Sequence, residues 1–398
     1  MSTDARHPSQ DATARAGGRR ARVLHFVTGG FSGATQVAVD LVRGHLAGDR
    51  FEPLLVLRRK PHTDQSRVEA LVREGIPVEL VAGWAHLATV RQLVRVCRRF
   101  QPDILVAHGF SEHLWGRYAG LLAQVPHLVH VEHNSRERYT WSRTRQMLWL
   151  AGRTDAIVGC SEGVKQALLA RGTPAQKTLA ISNGIRMAPF AAAAEHPWRE
   201  RVAGIVMAAR FARQKDHITL IKAIALLRER GLRPPVKLAG GGKASAQKKA
   251  RRLAEQLGLA GQVEFLGHYK DVPGLLMSHR ICLLSTHWEG MPLSLIEGMA
   301  AGCTAIGTRA PGVQEVIAHE RNGLLVEHES AQSLADALER VLTQPDLGEA
   351  LAAQGRRDAE AFYTLERMIS RYETLFGHIL ARGQGSATVA HATDFSRI

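Results

Sequence analysis

Cysteine is scarce in this chain. Cys97, Cys160, Cys282 and Cys303 stand singly in apolar stretches, with no C-x-x-C and no paired spacing. That pattern excludes a disulfide framework and a cysteine zinc site, and it fits a reducing compartment, the cytoplasm. Long hydrophobic runs are missing too. No apolar stretch approaches the roughly 18 residues of a spanning helix, and the polar segment from Met1 to Arg22 has no apolar leader core. Any membrane contact is therefore expected to be peripheral. Acidic residues are in deficit, 37 Asp and Glu against 52 Lys and Arg, which leaves a formal charge of +15. Residues 1–23 carry five Arg and two Asp, only +3 of that total, so the body itself is basic. Anionic partners follow: phosphates, nucleic acid or an acidic membrane surface.

What is present is a globular composition, 45% hydrophobic and 22% charged over 398 residues, enough for two to three domains of about 100–200 residues each. Short β-rich runs alternate with helical periodicity, the pattern of βαβ units and parallel sheets. Strands are predicted near 22–28, 53–58, 77–81, 103–107, 127–131, 156–159 and 178–182, with helices at 34–47, 65–74, 88–100, 112–123 and 162–171. After a Pro- and Ala-containing linker at 186–202 the alternation resumes. Strands are predicted near 203–209, 235–239, 262–265, 281–284, 304–307 and 322–326, and helices at 216–230, 244–258, 292–301, 311–318 and 330–344. The expected organisation is an α/β chain of two Rossmann-like, doubly wound domains, 21–188 and 189–362, facing a central cleft. A helix at 363–382 is expected to pack back on the first domain, with tails at 1–20 and 383–398. Ligands of such sheets sit at the carboxyl ends of the strands, so the loop rims facing the cleft are the places to look.

Three of those rims carry candidate chemistry. In THWEGMPLSLIEGMAAG (286–302), Pro292 suits the first turn of a helix, and the N–H groups of Gly290, Met291, Leu293 and Ser294 would be free at its positive end to hold an anion or hydroxyls. Glu289 and Glu297 are eight residues apart, about 80° around a helix at 3.6 residues per turn, so they would act as separate acceptors. The same spacing is met by a capping Glu289 and a solvated Glu297. In the loop after strand 203–209, Arg210 and Lys215 can grip a diphosphate, or stand as unpaired surface bases. The third rim is Gly29, Gly30 and Gly33, which permit close backbone approach to a ligand. It is not a full G-x-G-x-x-G, and strand two ends in Arg58, Arg59 and Lys60 without an acid for an NAD ribose. His108 and His133 end strands on the first half, His133 with polar neighbours Glu132 and Asn134. Helix 88–100 sets Val90, Leu93, Val94 and Cys97 against Arg91, Arg95 and Arg99. With Arg136, Arg138, Arg143 and Arg145 this makes a basic face suited to lipid phosphates or simply to water. No aromatic interleaving accompanies these bases, so the single-strand nucleic-acid pattern is absent and no nucleic-acid partner is expected.

Over about residues 22–380, and most strongly from Ile205 to Val326, these segments resemble the retaining glycosyltransferases often called group 1 or family 4, which have the two-domain GT-B fold. Glu289 to Glu297 resembles the E-x7-E element, Arg210 and Lys215 the R-x4-K pair, Gly33 the N-terminal glycine loop, Ser182-Asn183-Gly184 the N-G turn, and Gly307 to Glu315 the later G-G-x-x-E loop. The resemblance implies a catalytic set of Glu289, Arg210, Lys215 and His133. Arg210 and Lys215 would meet the leaving diphosphate, Glu289 the sugar hydroxyls, and His133 the sugar's reacting side. The implied donor-binding set is Gly33, Asn183, Gly267, Gly290, Met291, Pro292, Leu293 and Glu297, with Glu297 on the ribose and the base near Gly267 to Val272. Similar enzymes need no divalent metal, and no D-x-D triplet occurs here. No cofactor is expected beyond the nucleotide-sugar substrate, UDP- or GDP-linked. One departure is Asp216, where the family often has Gly; it places a carboxylate near the presumed phosphate grip unless it caps the helix.

The expected activity is retaining glycosyl transfer to a saccharide, lipid-linked given the basic first half, at the cytoplasmic membrane face in lipopolysaccharide or capsule assembly. A UDP-sugar epimerase of similar architecture and a non-catalytic anion-binding protein are the rival expectations.

Overall fold

The computed structural model describes residues 19–384 apart from His62 and Arg138. The expected tails at 1–20 and 383–398 thus lie almost wholly outside the described residues, as does Arg138. The first half is a seven-stranded parallel sheet of β1 (Ala21–Thr28), β2 (Phe51–Arg58), β3 (Val78–Val81), β4 (Ile104–His108), β5 (His127–Glu132), β6 (Ala156–Gly159) and β7 (Thr178–Ala180). Its helices are α1 (Gly33–Ala47), α2 (Gln65–Arg73), α3 (His86–Phe100), α4 (Glu112–Leu122), α5 (Trp141–Ala151) and α6 (Glu162–Ala170). The second half is a six-stranded parallel sheet of β8 (Val202–Ala208), β9 (Val236–Ala239), β10 (Val263–Gly267), β11 (His279–Leu284), β12 (Thr304–Thr308) and β13 (Leu324–Val326). With it go α7 (His217–Glu229), α8 (Ala244–Gln256), α9 (Val272–Met277), α10 (Leu293–Ala300), α11 (Val313–Val316), α12 (Ala331–Thr343) and α13 (Pro345–Phe362), before the final α14 (Leu365–Gln384).

Central strands are buried on both faces, which is why they read as nearly unbroken apolar runs; every residue of β4 is buried. The strand orders are β3-β2-β1-β4-β5-β6-β7 and β10-β9-β8-β11-β12-β13. In each sheet the winding reverses once, between β1 and β4 and between β8 and β11. The carboxyl ends of those two strand pairs are where a crevice must open.

The last helix belongs spatially to the first sheet. Met368, Tyr372, Leu375, Phe376 and Ile379 recur at helical spacing and pack with Val23, Val106, Val129 and Val158 in one buried cluster. Burial of each such Leu or Phe contributes about 1.5–3 kcal/mol.

Several local expectations need correction. Residues 186–202, expected as a linker or crossing segment, are folded: 3-10 turns at Ala188–Glu195 and Trp198–Glu200 bury Phe190, Ala193 and Trp198. The predicted helix 311–318 shrinks to Val313–Val316, because Ile317 is already extended. α5, α9 and α13 were not expected. α13 starts at Pro345, which looks like a breaker but costs nothing at a first helical position. α5 carries Arg143 and Arg145 and buries only Met147, Leu150 and Ala151.

Candidate functional site

Both winding reversals open onto one cavity of about 700 Å³. The first half contributes the β1–α1 loop (Thr28, Phe31 to Ala34), Lys60 after β2, His108 to Glu112 after β4, His133, Asn134 and Glu137 after β5, and Asn183. The second half contributes Ala208 to Arg210, Gln214 and Lys215 after β8, and Glu289 to Ser294 after β11. Of the twelve expected site residues, Gly267 and Glu297 alone are not part of this lining; the other ten converge on it.

On the second-half wall, Lys215 does not point at open cleft. Its Nζ lies 2.5 Å from Glu289 Oε1, with only 12% and 8% of the two side chains exposed. Thr286 Oγ1 donates to the same oxygen at 2.6 Å, and Gln214 Nε2 donates to Oε2 at 3.1 Å. The grip expected for a phosphate is thus occupied by the protein's own carboxylate. Arg210 remains exposed at the rim. Asp216 takes the capping role: its Oδ1 accepts from Thr219 N at 3.1 Å, so the departure from the family pattern starts α7. Pro292 stands before α10 rather than in its first turn, and Leu293 N–H turns back to the Met291 carbonyl at 3.1 Å, so one of the four expected free donors is engaged.

On the first-half wall, His133 Nε2 lies 3.3 Å from His108 Nδ1, and burial followed by neighbouring His130 lowers its pKa to about 3. The ring is neutral at any ordinary pH. Behind it, Glu132 accepts from His133 N (3.0 Å) and Tyr139 Oη (2.9 Å), and burial lifts its carboxyl to about 7. Sequence reasoning missed Glu137, which lines the cavity and is also lifted to about 7 by burial and then by Glu132. The signal was its place in the same strand-end loop as His133. It also missed Glu112, held by Arg58 (3.2 Å) and Lys60 (2.8 Å) at the start of α4. Asn183 is nearly buried, its Oδ1 has no partner, and it lines the cavity, so an acceptor stands ready there.

The glycine loop works differently from expectation. A Cβ on Gly29 would lie 2.7 Å from the Arg58 carbonyl oxygen, so this glycine admits the end of β2 and not a ligand, while Gly33 has open space around it. At Gly290 the close approach joins the two halves: a Cβ there would run into the His133 carbonyl oxygen. Ser135 Oγ donates to the Glu289 carbonyl (3.0 Å), and Met291 packs into a cluster with Ile157, Cys160 and Val164. Glu315, in the segment expected to form a ligand loop, instead accepts the N–H groups of Glu162 and Gly163, both at 2.7 Å, and so caps α6 of the other half.

Outside the cavity, Gly267 ends β10 at a positive φ of 64°, and Glu297 lies on α10, where burial raises its carboxyl to about 7. Among the described residues, two groups have ligand atoms within metal-binding reach. In the buried one, His113, His130 and Glu132, Arg117 donates to His113 Nδ1 (2.7 Å), so His113 carries its proton on Nε2, donates from there to Tyr139 Oη (2.8 Å), and has no lone pair of its own left for an ion. The other, His287, His328 and Glu329, lies away from the cavity lining. All four cysteines are buried, and burial pushes the Cys97 and Cys303 thiols to about 12, which removes them as nucleophiles.

On the outer face of the first half, Arg91, Arg95, Arg98 and Arg99 of α3 are exposed, although Arg99 pairs with Glu79. The absence of interleaved aromatics does not hold in space. Trp84, Leu87, Trp141 and Trp149 are exposed, Arg145 lies over Trp141 and Arg153 over Trp149. No helix among the described residues is long and apolar enough to cross a membrane.

Residues 191–358 match the family described as glycosyl transferases group 1, and residues 31–188 match Glycosyltransferase Family 4. The putative glycosyltransferase EpsD of Bacillus subtilis is 27% identical over 317 residues, spanning 72% of this chain and 80% of EpsD. An Escherichia coli UDP-Gal:alpha-D-GlcNAc-diphosphoundecaprenol alpha-1,3-galactosyltransferase is 24% identical over 266 residues, spanning 63% of this chain and 68% of its own. Among solved structures, Anabaena HepE in complex with UDP and glucose superposes with a TM-score of 0.78 at 19% identity, over 90% of this chain and all of HepE. At that identity the likeness carries the fold, α/β of the GT-B type.

Proposed function

The chain belongs to the group 1 glycosyltransferases, and from that premise we propose that it moves a sugar from a UDP- or GDP-linked donor to a saccharide hydroxyl with retention of configuration. The observation that carries this reading is the placement of the Lys215–Glu289 pair and Arg210 at one wall of the cavity, facing neutral His133 on the other. A donor diphosphate entering beside Lys215 competes with Glu289 for the ammonium group. Glu289 is then released to accept hydrogen bonds from the sugar hydroxyls, while Arg210 and Lys215 meet the charge that grows on the leaving β-phosphate. The start of α10 adds amide dipoles of the same sign, and with them a metal ion is not required. Asn183 Oδ1 and the N–H groups of Gly290 and Met291 complete the donor contacts, with Gly33 on the opposite rim. Glu297 and the Gly267 loop take the ribose and base at the cavity's margin. Closure of the halves excludes water, which would hydrolyse the donor.

A thermal-shift panel of UDP, GDP and ADP sugars tests the donor, since a ligand at 100 times its Kd adds about 2.7 kcal/mol of stability. NMR of the product then reads the anomeric configuration. No shift with any donor, or an inverted product, overturns the reading, and conversion of a UDP-sugar by enzyme alone would favour an epimerase.

The proposed acceptor is a lipid-linked saccharide at the cytoplasmic membrane face, in lipopolysaccharide or related polysaccharide assembly. Its support is the outer face of the first half, where exposed Trp84, Leu87 and Trp141 stand with the α3 and α5 arginines. Tryptophan suits the headgroup boundary, and each arginine adds about 1 kcal/mol at an anionic surface. Flotation with anionic vesicles at low and high salt tests it, and binding that is absent or indifferent to salt removes the membrane.

A further inference from the structure

We propose that His108 and His25 are positioning residues, which through a buried line of imidazoles give His133 a single hydrogen-bonding sense at the cleft wall. The sequence places the three rings on one diagonal. His25 of β1 is in register with Val106 of β4, and His108 of β4 with Val131 of β5. Each next histidine therefore stands one strand across and two residues further toward the cleft, on the same face of the sheet. His25 Nδ1 lies 3.1 Å from His108 Nε2, and His108 Nδ1 lies 3.3 Å from His133 Nε2. His25 and His108 are fully buried.

A neutral imidazole has one donor and one acceptor nitrogen. Both nitrogens of His108 face another imidazole, so it must donate to one neighbour and accept from the other. The three rings can then point in only two ways, all donating toward His133 or all donating toward His25. His133 cannot reverse alone; reversal requires the tautomers of all three rings to change together. The two free ends, His133 Nδ1 and His25 Nε2, have no partner. At the far end, His25 is covered by the His45 ring, 5.3 Å between centroids, and by Phe376 of α14, 6.4 Å away. Burial lowers the His45 pKa to about 4, so that ring adds no charge to the line. Glycosyl transfer builds positive character on the sugar, and a neutral ring of fixed sense beside it offers an oriented dipole without a repelling cation.

The inference rests on the reading that His133 meets the transferred sugar, but its first test does not. In the full-length protein labelled with [15N]histidine, the ring nitrogens of His133 report its tautomer directly. Wild type is expected to show one tautomer, and His108→Phe a mixture. In His108→Phe, kcat for sugar transfer is expected to fall about tenfold or more while the Kd for UDP stays within about twofold, because a wrong tautomer harms the reacting side and not donor affinity. His25→Phe, which leaves His108 in place, is expected to show the same nitrogen signature with a smaller loss, about threefold, and it decides the matter if His108→Phe does not fold. A His133 that is already a tautomer mixture in wild type, or that is unchanged in both variants, overturns the line of imidazoles. Loss of kcat and UDP affinity together, or of neither, overturns the positioning role. If wild type turns over no nucleotide sugar, the proposed function falls, and the nitrogen shifts still judge the line.

Discussion

On the second-sheet side of the cleft the polar groups form a close ion pair, Lys215 against Glu289, with Arg210 exposed at the rim. On the first-sheet side, beyond the Lys60–Glu112 pair, they are imidazoles and carboxyls, where burial holds His133 neutral and raises Glu132 and Glu137 to about 7. The same fold, used twice, thus presents full charge from one half and weakened charge from the other. A donor has the same asymmetry, an anionic diphosphate at one end and a neutral sugar at the other. The difference arises from partners and not from depth: Glu289 is itself buried but meets the Lys215 ammonium, whereas Glu132 meets a phenol and a backbone amide.

The largest effects should come from the charged wall. Arg210→Ala and Lys215→Ala are each expected to lower turnover by roughly 10²–10³, as loss of one preorganised charge stabiliser does, and Lys215→Ala also leaves a nearly buried carboxylate without its cation. Steady-state kinetics with the donor found by thermal shift measure this. Losses no greater than those of His108→Phe would erase the contrast between the walls.

A second effect falls on stability. Glu297 is raised to about 7 by burial, above its unfolded value near 4.5. The folded state therefore binds the extra proton between those two values, and stability falls as pH rises through that window, then levels off. Glu297→Gln should flatten this slope and raise stability at pH 8 by about 1–2 kcal/mol, while weakening UDP binding if the carboxylate serves the ribose. Melting temperatures at pH 5 and pH 8, with and without UDP, separate the two. A slope unchanged from wild type would remove Glu297 as its source.

The smallest effect belongs to the contact between the halves. Glu315→Gln keeps an acceptor for the α6 amides but loses the charge, at a cost of about 0.3–1 kcal/mol, a shift of one or two degrees in Tm. An equal shift in the presence of 1 M salt would mean that charge was never the stabilising part.

Much of this was legible before any coordinates. The alternation of strand and helix patterns located all thirteen strands of the described residues, because buried parallel strands are largely apolar and leave a plain trace. Ten of the twelve expected site residues meet in one cavity for a related reason: each followed a predicted strand end, and topology alone carries strand ends to the crevice. What was not legible is pairing. That Lys215 would be held by Glu289, that Glu315 would cap a helix of the other half, or that positions 25, 108 and 133 would align depends on register and on how the halves meet. α13 was not expected from the sequence, and Gly29 was misread because the partner that needs its missing side chain is Arg58, distant in sequence.

The contact at Gly290 is among those that hold the two halves at their spacing. The halves meet where one residue lacks a side chain, and a single methyl group added there would act as a shim, prising Glu289 away from His133 and spoiling every distance across the gap at once. The spacing between donor grip and reacting wall is thus gauged in part by the omission of one carbon atom.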